Sequence, residues 1–204
     1  MVLTYSPTDL VSPQEGLEGR RLHFYDKGNT IPLAAEGTWQ VYRGIVQVSQ
    51  FAANGDEILL GWAQASAFFG MSLTLGQLDT YQAKALSDVY LRWYTTAELE
   101  NTPKLAQLVL GQTLKRLRQT ETLLAIAGLK RVDERLQELL KLLAQEMGQP
   151  VTNGIRLSVR LTHQTLANAI GTTRVTITRL LGELQSQGRI SFDSDRHLVL
   201  HANL

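Results

Sequence analysis

The stretch Leu161-Thr162-His163-Gln164-Thr165-Leu166-Ala167-Asn168-Ala169-Ile170-Gly171-Thr172-Thr173-Arg174-Val175-Thr176-Ile177-Thr178-Arg179-Leu180-Leu181-Gly182-Glu183-Leu184 decides the architecture. Its apolar residues recur on a helical period that is broken once, at Gly171. Thr162 is placed to cap a helix over 163–170, Thr172-Thr173 to cap a second over 174–187, and Gly188 to end it. Upstream, Ile155 to Leu161 alternates as a strand does. Downstream, Ile190-Ser191-Phe192, the polar turn Asp193-Ser194-Asp195 and the run His197 to His201 read as a small hairpin. Helix, short glycine turn, helix, hairpin is the order of a winged helix-turn-helix.

The second helix carries the chemistry. At 100° per residue, Ile177, Leu180, Leu181 and Leu184 share one face, which packs on Leu166 and Ile170 of the preceding helix. Arg174, Val175, Thr178 and Arg179 share the other. Two guanidinium forks, a hydroxyl and a methyl-bearing side chain suit a DNA major groove. Arginine donates two bonds to guanine O6 and N7, and valine or threonine touches a thymine methyl. Thr162, Gln164, Thr172, Thr173 and Thr176, near the helix N-termini, have the size and polarity for phosphate contacts. The bland alternative is a solvated helix face. Two features oppose it: the arginines sit near the start of the second helix after a glycine turn, and residues 150–204 hold six Arg, no Lys and three acids. Arginine makes bidentate contacts where lysine does not.

Working outward, Val132, Leu136, Leu139, Leu140, Leu143 and Met147 stripe an amphipathic helix, with Gly148 at its C-cap position and Pro150 blocking continuation. Gly128 separates it from a longer helix that opens at Pro103. Leu110, Leu114, Leu117 and Leu124 recur there in heptad-like steps, with Glu121 as the polar interruption. Such a helix of about 25 residues spans roughly 37 Å, and its stripe could pair with a copy of itself. The region 128–131 is a candidate hinge.

The first hundred residues read as short strands at close spacing, which predicts a sandwich or barrel. Ile45 to Phe51 alternates, Asn54-Gly55 signals a two-residue hairpin with φ > 0 at both positions, and a strand follows over 57–62. Further strands are expected over 22–25, 39–43, 81–86 and 88–94. Trp39, Trp62 and Trp93, flanked by alternating strands, read as core rather than as a ligand pocket.

Charge and composition narrow the function. The chain has 204 residues and a formal net charge of +1, but its halves differ. Residues 1–100 carry 6 Lys+Arg against 11 Asp+Glu, a balance of −5, while residues 101–204 carry 14 against 8, a balance of +6. The second half could therefore face a polyanion. With 0 cysteines there is no disulfide framework, thiolate metal site, iron–sulfur cluster or cysteine nucleophile. The four histidines, at 23, 163, 197 and 201, do not suggest a metal centre, and no cofactor is expected. No apolar run reaches the roughly 20 residues of a membrane span, and the start Met1-Val2-Leu3-Thr4 does not read as a signal peptide, so a cytoplasmic protein is expected.

The 161–184 stretch resembles the DNA-binding helices of the CRP/FNR family, most closely its cyanobacterial nitrogen-regulator branch, which shares the Arg-Val-Thr-x-Thr-Arg-Leu-Leu-Gly run. The Gly28, Gly44, Gly55 and Gly70 turns are similar to that family's cyclic-nucleotide-binding-like jelly roll, and Pro103 onward, with Arg116 and Gln119-Thr120-Glu121, to its dimerisation helix. The resemblance implies an α+β chain with a jelly-roll sensor over 1–98, a dimerisation helix and hinge over 99–128, and a winged helix-turn-helix over 129–204. It implies a transcription activator that binds double-stranded DNA as a homodimer, with RNA polymerase as a further partner. Leu110, Leu114, Leu117, Glu121 and Leu124 would lie at the dimer interface. The two recognition helices would enter successive major grooves about 34 Å apart on a palindrome. Val175, where the cyclic-AMP receptor has Glu, favours a GTA-N8-TAC-like site.

Effector residues are the point of departure. Family members that bind cyclic AMP carry a Gly-Glu pair and then an Arg-Ser pair. Here Met71 stands at the Glu position, and Asp79 or Thr80 at the Arg position, which argues against cyclic nucleotides. The 2-oxoglutarate site of the nitrogen-regulator branch implies one cation in this stretch and one on the long helix. Arg116 supplies the second, and Lys84 is the one cation between Phe69 and Lys84. Gly70, Met71, Lys84 and Arg116 are therefore the implied effector residues. A haem sensor would need His23 as an isolated ligand. Two other readings compete with the regulator. A cupin-like jelly-roll enzyme needs clustered His and carboxylate ligands, yet residues 1–100 hold one His. A winged helix used only for protein contacts needs no cationic helix face.

Overall fold

The computed structural model describes residues 19–70 and 80–202. Among the described residues, eight strands come first: β1 (His23–Tyr25), β2 (Thr30–Ile31), β3 (Gly37–Arg43), β4 (Val46–Phe51), β5 (Glu57–Ala63), β6 (Phe68–Phe69), β7 (Tyr81–Ala85) and β8 (Val89–Thr95). Three helices follow: α1 (Thr96–Asn101), α2 (Pro103–Ala127) and α3 (Val132–Met147). The last third holds β9 (Gly148–Val151), β10 (Gly154–Leu157), α4 (His163–Ile170), α5 (Arg174–Ser186), β11 (Ile190–Phe192) and β12 (Leu198–Leu200).

The chain forms two compact units. One comprises the described residues through Ser49 with Trp62–Leu117; the other comprises Gln50–Gly61 with the described residues from Arg118 onward. The strands of the first hundred residues form two four-stranded sheets, ordered β1-β8-β3-β6 and β2-β7-β4-β5. Trp39, Val41, Val46, Val48, Phe69, Ala83, Val89 and Leu91 are buried, and Trp62 is 2 % exposed, so Trp39 and Trp62 are core as expected, while Trp93 is half-buried. Trp39 packs edge-on against Trp93 at 4.8 Å between ring centroids, and His23 packs against Trp39 in the same way at 5.1 Å. β3 is buried on both sides because α2 covers the second: Leu105 and Val109 pack against Phe68 and Tyr94.

Two local expectations are corrected. The hairpin after β4 is not a two-residue turn. Gly55 has φ +86°, whereas Asn54 is not among the positive-φ residues. Ala52 N donates to Asp56 O at 2.9 Å, closing a longer loop, and Asp56 N donates to Asn54 Oδ1 at 3.1 Å. The Asn54 side chain supplies locally what a second positive φ would otherwise supply. The second correction concerns 148–161. Gly148 does cap α3, its N–H donating to Ala144 O, but its backbone is extended (φ −82°, ψ 147°) and leads directly into β9. β9 pairs with β10, and β10 ends at Leu157 rather than running to Leu161. Pro150 is accommodated because β9 is the edge of the sheet β11-β12-β10-β9, where a missing N–H breaks no ladder bond.

Helix α2 spans 25 residues, as its sequence predicts, and carries two faces. Leu105, Val109, Gln119, Leu123 and Ile126 are buried within the chain. Leu110, Leu114, Leu117 and Leu124 form a second stripe, 60 %, 52 %, 52 % and 73 % exposed. Both follow the alternating steps of three and four that keep residues on one side of a helix. The stripe legible in the sequence is the one its own chain leaves bare.

Candidate nucleic-acid interface

The helix pair is fixed by the residues that the sequence singles out. Thr162 Oγ1 accepts from Thr165 N at 3.0 Å and caps α4; Thr173 Oγ1 accepts from Thr176 N at 3.2 Å and caps α5. Between them Gly171 adopts φ 61°, ψ 55°, and Thr172 N donates to Ala167 O at 3.0 Å. A left-handed residue here closes α4 and redirects the chain within one turn, a conformation that disfavours any Cβ. Each cap bond contributes about 1 kcal/mol.

Burial separates the two faces of α5 as the periodicity predicts. Ile177, Leu180, Leu181 and Leu184 are buried, with Leu166, Ala167 and Ile170 of α4 buried in the same core. Arg174, Thr178 and Arg179 are exposed, and Val175 is 78 % exposed, a large apolar side chain left bare between two arginines.

Hydrogen bonds refine what each group can offer. Thr178 Oγ1 donates to Arg174 O at 2.9 Å, so its remaining capacity is as an acceptor. His163 Nδ1 lies 2.7 Å away and supplies that donor. The Thr178 hydroxyl thus has its hydrogen and one lone pair engaged, and its methyl is the apolar group it can present to a base. The Thr162 and Thr173 hydroxyls also lie 2.9 Å from the Thr165 and Thr176 hydroxyls. Their expected phosphate contacts must therefore share oxygens that already cap helices. Gln164 Nε2 donates to Asn168 Oδ1 at 2.6 Å, and Asn168 Nδ2 donates to Glu57 Oε2 at 2.9 Å. Arg179 donates through Nη1 to Glu183 Oε1 at 2.5 Å, one turn further along α5. Arg174 has no such partner among the described residues.

Residues outside the sequence expectation join this region. Asp193 accepts from Arg156 Nε at 2.5 Å and from His197 N at 2.7 Å, and the Arg156 bond holds its carboxyl below the ordinary aspartate range. This ties down the β11–β12 turn and presents exposed Arg196, itself at φ 60°. The Gln164/Asn168 and Arg179/Glu183 spacings of four are visible in sequence. The His163–Thr178 and Glu57–Asn168 pairs, 15 and 111 residues apart, are not.

The implied effector residues differ in exposure. Lys84 lies on the exposed side of β7, opposite buried Ala83 and Ala85. Tyr81, two residues before Ala83 on β7, lies near enough to Arg116 to influence it electrostatically. Burial lowers the Arg116 pKa, and its Nη1 approaches Phe68 O at 3.4 Å. Gly70 forms a turn with φ +94°, while Met71 and Asp79 lie outside the described residues.

Comparison with known proteins bears on this geometry. Residues 134–202 match the model of the Crp-like helix-turn-helix domain. The chain is 33 % identical to the global nitrogen regulator of Synechocystis sp. over 185 residues, covering 86 % of this chain and 82 % of that protein. It is 34 % identical to the regulatory protein CysR of Synechococcus elongatus over 192 residues, covering 93 % and 84 %. Among solved structures, a CRP/FNR-family transcriptional regulator from Thermus thermophilus matches with a TM-score of 0.72 at 22 % identity, covering 88 % of this chain and 92 % of that one. These relatives are named as regulators, which sets aside the jelly-roll enzyme. The capped helix pair, the bare arginine face of α5 and these similarities place the chain in the CRP/FNR family of DNA-binding transcription regulators.

Proposed function

We propose that the chain acts as a homodimer on a two-fold symmetric DNA site, the α2 leucine stripe joining the subunits and α5 of each subunit reading a half-site. The single observation that carries this reading is the division of α2. One face is buried by its own chain, while Leu110, Leu114, Leu117 and Leu124 remain more than half exposed in a row. Fully burying a leucine is worth about 1.5–3 kcal/mol, so covering this row in both subunits would be a substantial driving force. Glu121, exposed on the same row, sets the register rather than the affinity.

Arg174 and Arg179 are the guanine or phosphate contacts, with Val175 and the Thr178 methyl offering apolar contact to thymine. A GTA-N8-TAC-like palindrome is the expected site. The working division of the chain is a sensor over 1–98, a dimerisation helix and hinge over 99–128, and a DNA-binding domain over 129–204. Of the residues expected at an effector, Arg116 is the half-buried cation among those described, and burial lowers its pKa. RNA polymerase as the partner of the DNA-bound dimer, activation as the outcome and a cytoplasmic location belong to the same reading.

Sedimentation and DNA titration test it together. A dimer that binds a GTA-N8-TAC duplex, and binds a duplex holding one half-site much more weakly, is the expected result. A chain that stays monomeric on DNA, or shows no preference over a scrambled duplex, refutes it.

A further inference from the structure

The contact between Arg179 and Glu183 is out of place as a stability device. The two side chains are 61 % and 50 % exposed, and exposed pairs of this kind add little to stability. The order is also the less favourable one: the cation precedes the acid, and Glu183 lies toward the C-terminal half of α5, where a carboxylate opposes the helix dipole. Glu183 is about 40° around the helix from Arg179, on the flank of the face that meets DNA. A carboxylate there is repelled by phosphates and lowers overall affinity.

What it provides is control over one guanidinium. Arginine has five N–H donors in a planar fork. One bond from Nη1 to Glu183 leaves four, enough for a bidentate pair with guanine O6 and N7. It also anchors the end of a long, flexible side chain, which would otherwise swing to the nearest phosphate on any sequence. Arg174, five residues earlier, has no such restraint among the described residues.

We propose that Glu183 is a specificity-determining residue: it holds Arg179 for base reading and denies it to phosphates on non-target DNA. This rests on the reading of α5 as the DNA-recognition helix. The device discriminates by making the wrong complex worse rather than the right one better.

The test uses the full chain and compares the wild type with Glu183→Gln, Glu183→Ala, Arg179→Ala and the Arg179→Ala/Glu183→Gln double variant. Each is titrated with a GTA-N8-TAC duplex and with a random-sequence duplex across a salt series. Glu183→Gln is expected to tighten random-duplex binding several-fold and reduce discrimination by roughly fivefold to tenfold. The salt dependence on random DNA should steepen by about 0.9 in log–log slope, the signature of one added phosphate contact. In the Arg179→Ala background the same change should no longer alter discrimination, because the residue it restrains is gone. Discrimination unchanged in both Glu183 variants overturns the proposal. So does an equal gain in random binding with and without Arg179, which would make Glu183 a general repulsive charge. A wild-type chain that does not discriminate between the duplexes refutes the underlying DNA-site reading instead.

Discussion

His163 Nδ1 lies 2.7 Å from Thr178 Oγ1, joining the first residue of α4 to the outer face of α5. The apolar core locks these helices together from the inside, through Leu166, Ile177 and Leu181. The histidine does so from the solvent side, next to the residues proposed to read DNA. With Thr178 donating to Arg174 O, a hydrogen on His163 Nδ1 completes the contact.

Replacing His163 with Ala should therefore lower stability by about 0.5–1.5 kcal/mol, the ordinary worth of such a bond. It should also weaken specific DNA binding more than random binding, since the angle of α5 loses a constraint. Urea unfolding and duplex titration of the same variant measure the two effects.

The helix caps offer a second check. Thr162→Ala and Thr173→Ala should each cost about 1 kcal/mol, whereas the Ser variants keep the capping oxygen and should stay near wild type. If the Ser variants lose as much as the Ala variants in denaturant midpoint, the methyl group rather than the cap is the source of stability.

On α2, Leu114→Glu combined with Leu117→Glu places two charges on a row more than half exposed within the chain. Folding should be untouched, with helical circular dichroism preserved. Association should fail, and sedimentation should report a monomer with weakened affinity for the palindrome. Unfolding of this variant would mean the row is part of the internal core after all.

A pH effect comes from the start of α1. The Arg20 guanidinium is hydrogen-bonded to Glu98, and that bond, with the Thr95 N–H, brings the Glu98 pKa to about 2 from its ordinary value near 4.5. A depressed carboxylate pKa stabilises the folded chain above the unfolded value and loses that contribution as pH falls from about 4.5 to 2. With the pair 31 % and 37 % exposed, solvent screening limits the effect to on the order of 1 kcal/mol. Arg20→Ala should flatten this part of the stability–pH curve, as chemical denaturation between pH 6 and pH 2 would show.

Gly61 of β5 has φ +136°, and a Cβ there would collide with Gln119 Oε1. Gln119 is itself buried and donates to Glu146. Gly61→Ala combines backbone strain with a displaced buried amide and should destabilise by about 1–3 kcal/mol. A thermal midpoint equal to wild type would show that Gln119 has room to move.

The sequence alone determined the helix-turn-helix, because its signals are local. A threonine before each helix, a glycine at the left-handed turn and an apolar face at period 3.6 all act within a few residues of one another. The same locality marked the inner and outer faces of α5 and the length of α2. Where a second segment enters, only the tertiary structure decided. Which of two heptad-spaced faces of α2 would be buried depended on where Phe68 and Tyr94 lie. Whether Lys84 would be exposed depended on which way β7 turned its alternating side chains. Pro150 sits in a strand because β10 offers it an edge without a required N–H. His163, the second partner of Thr178, and Glu57, the second partner of Asn168, came from 15 and 111 residues away, distances over which hydrogen-bond geometry leaves no periodic trace in the chain. Periodicity specifies which side chains share a face; what meets that face is set by the packing of the whole fold.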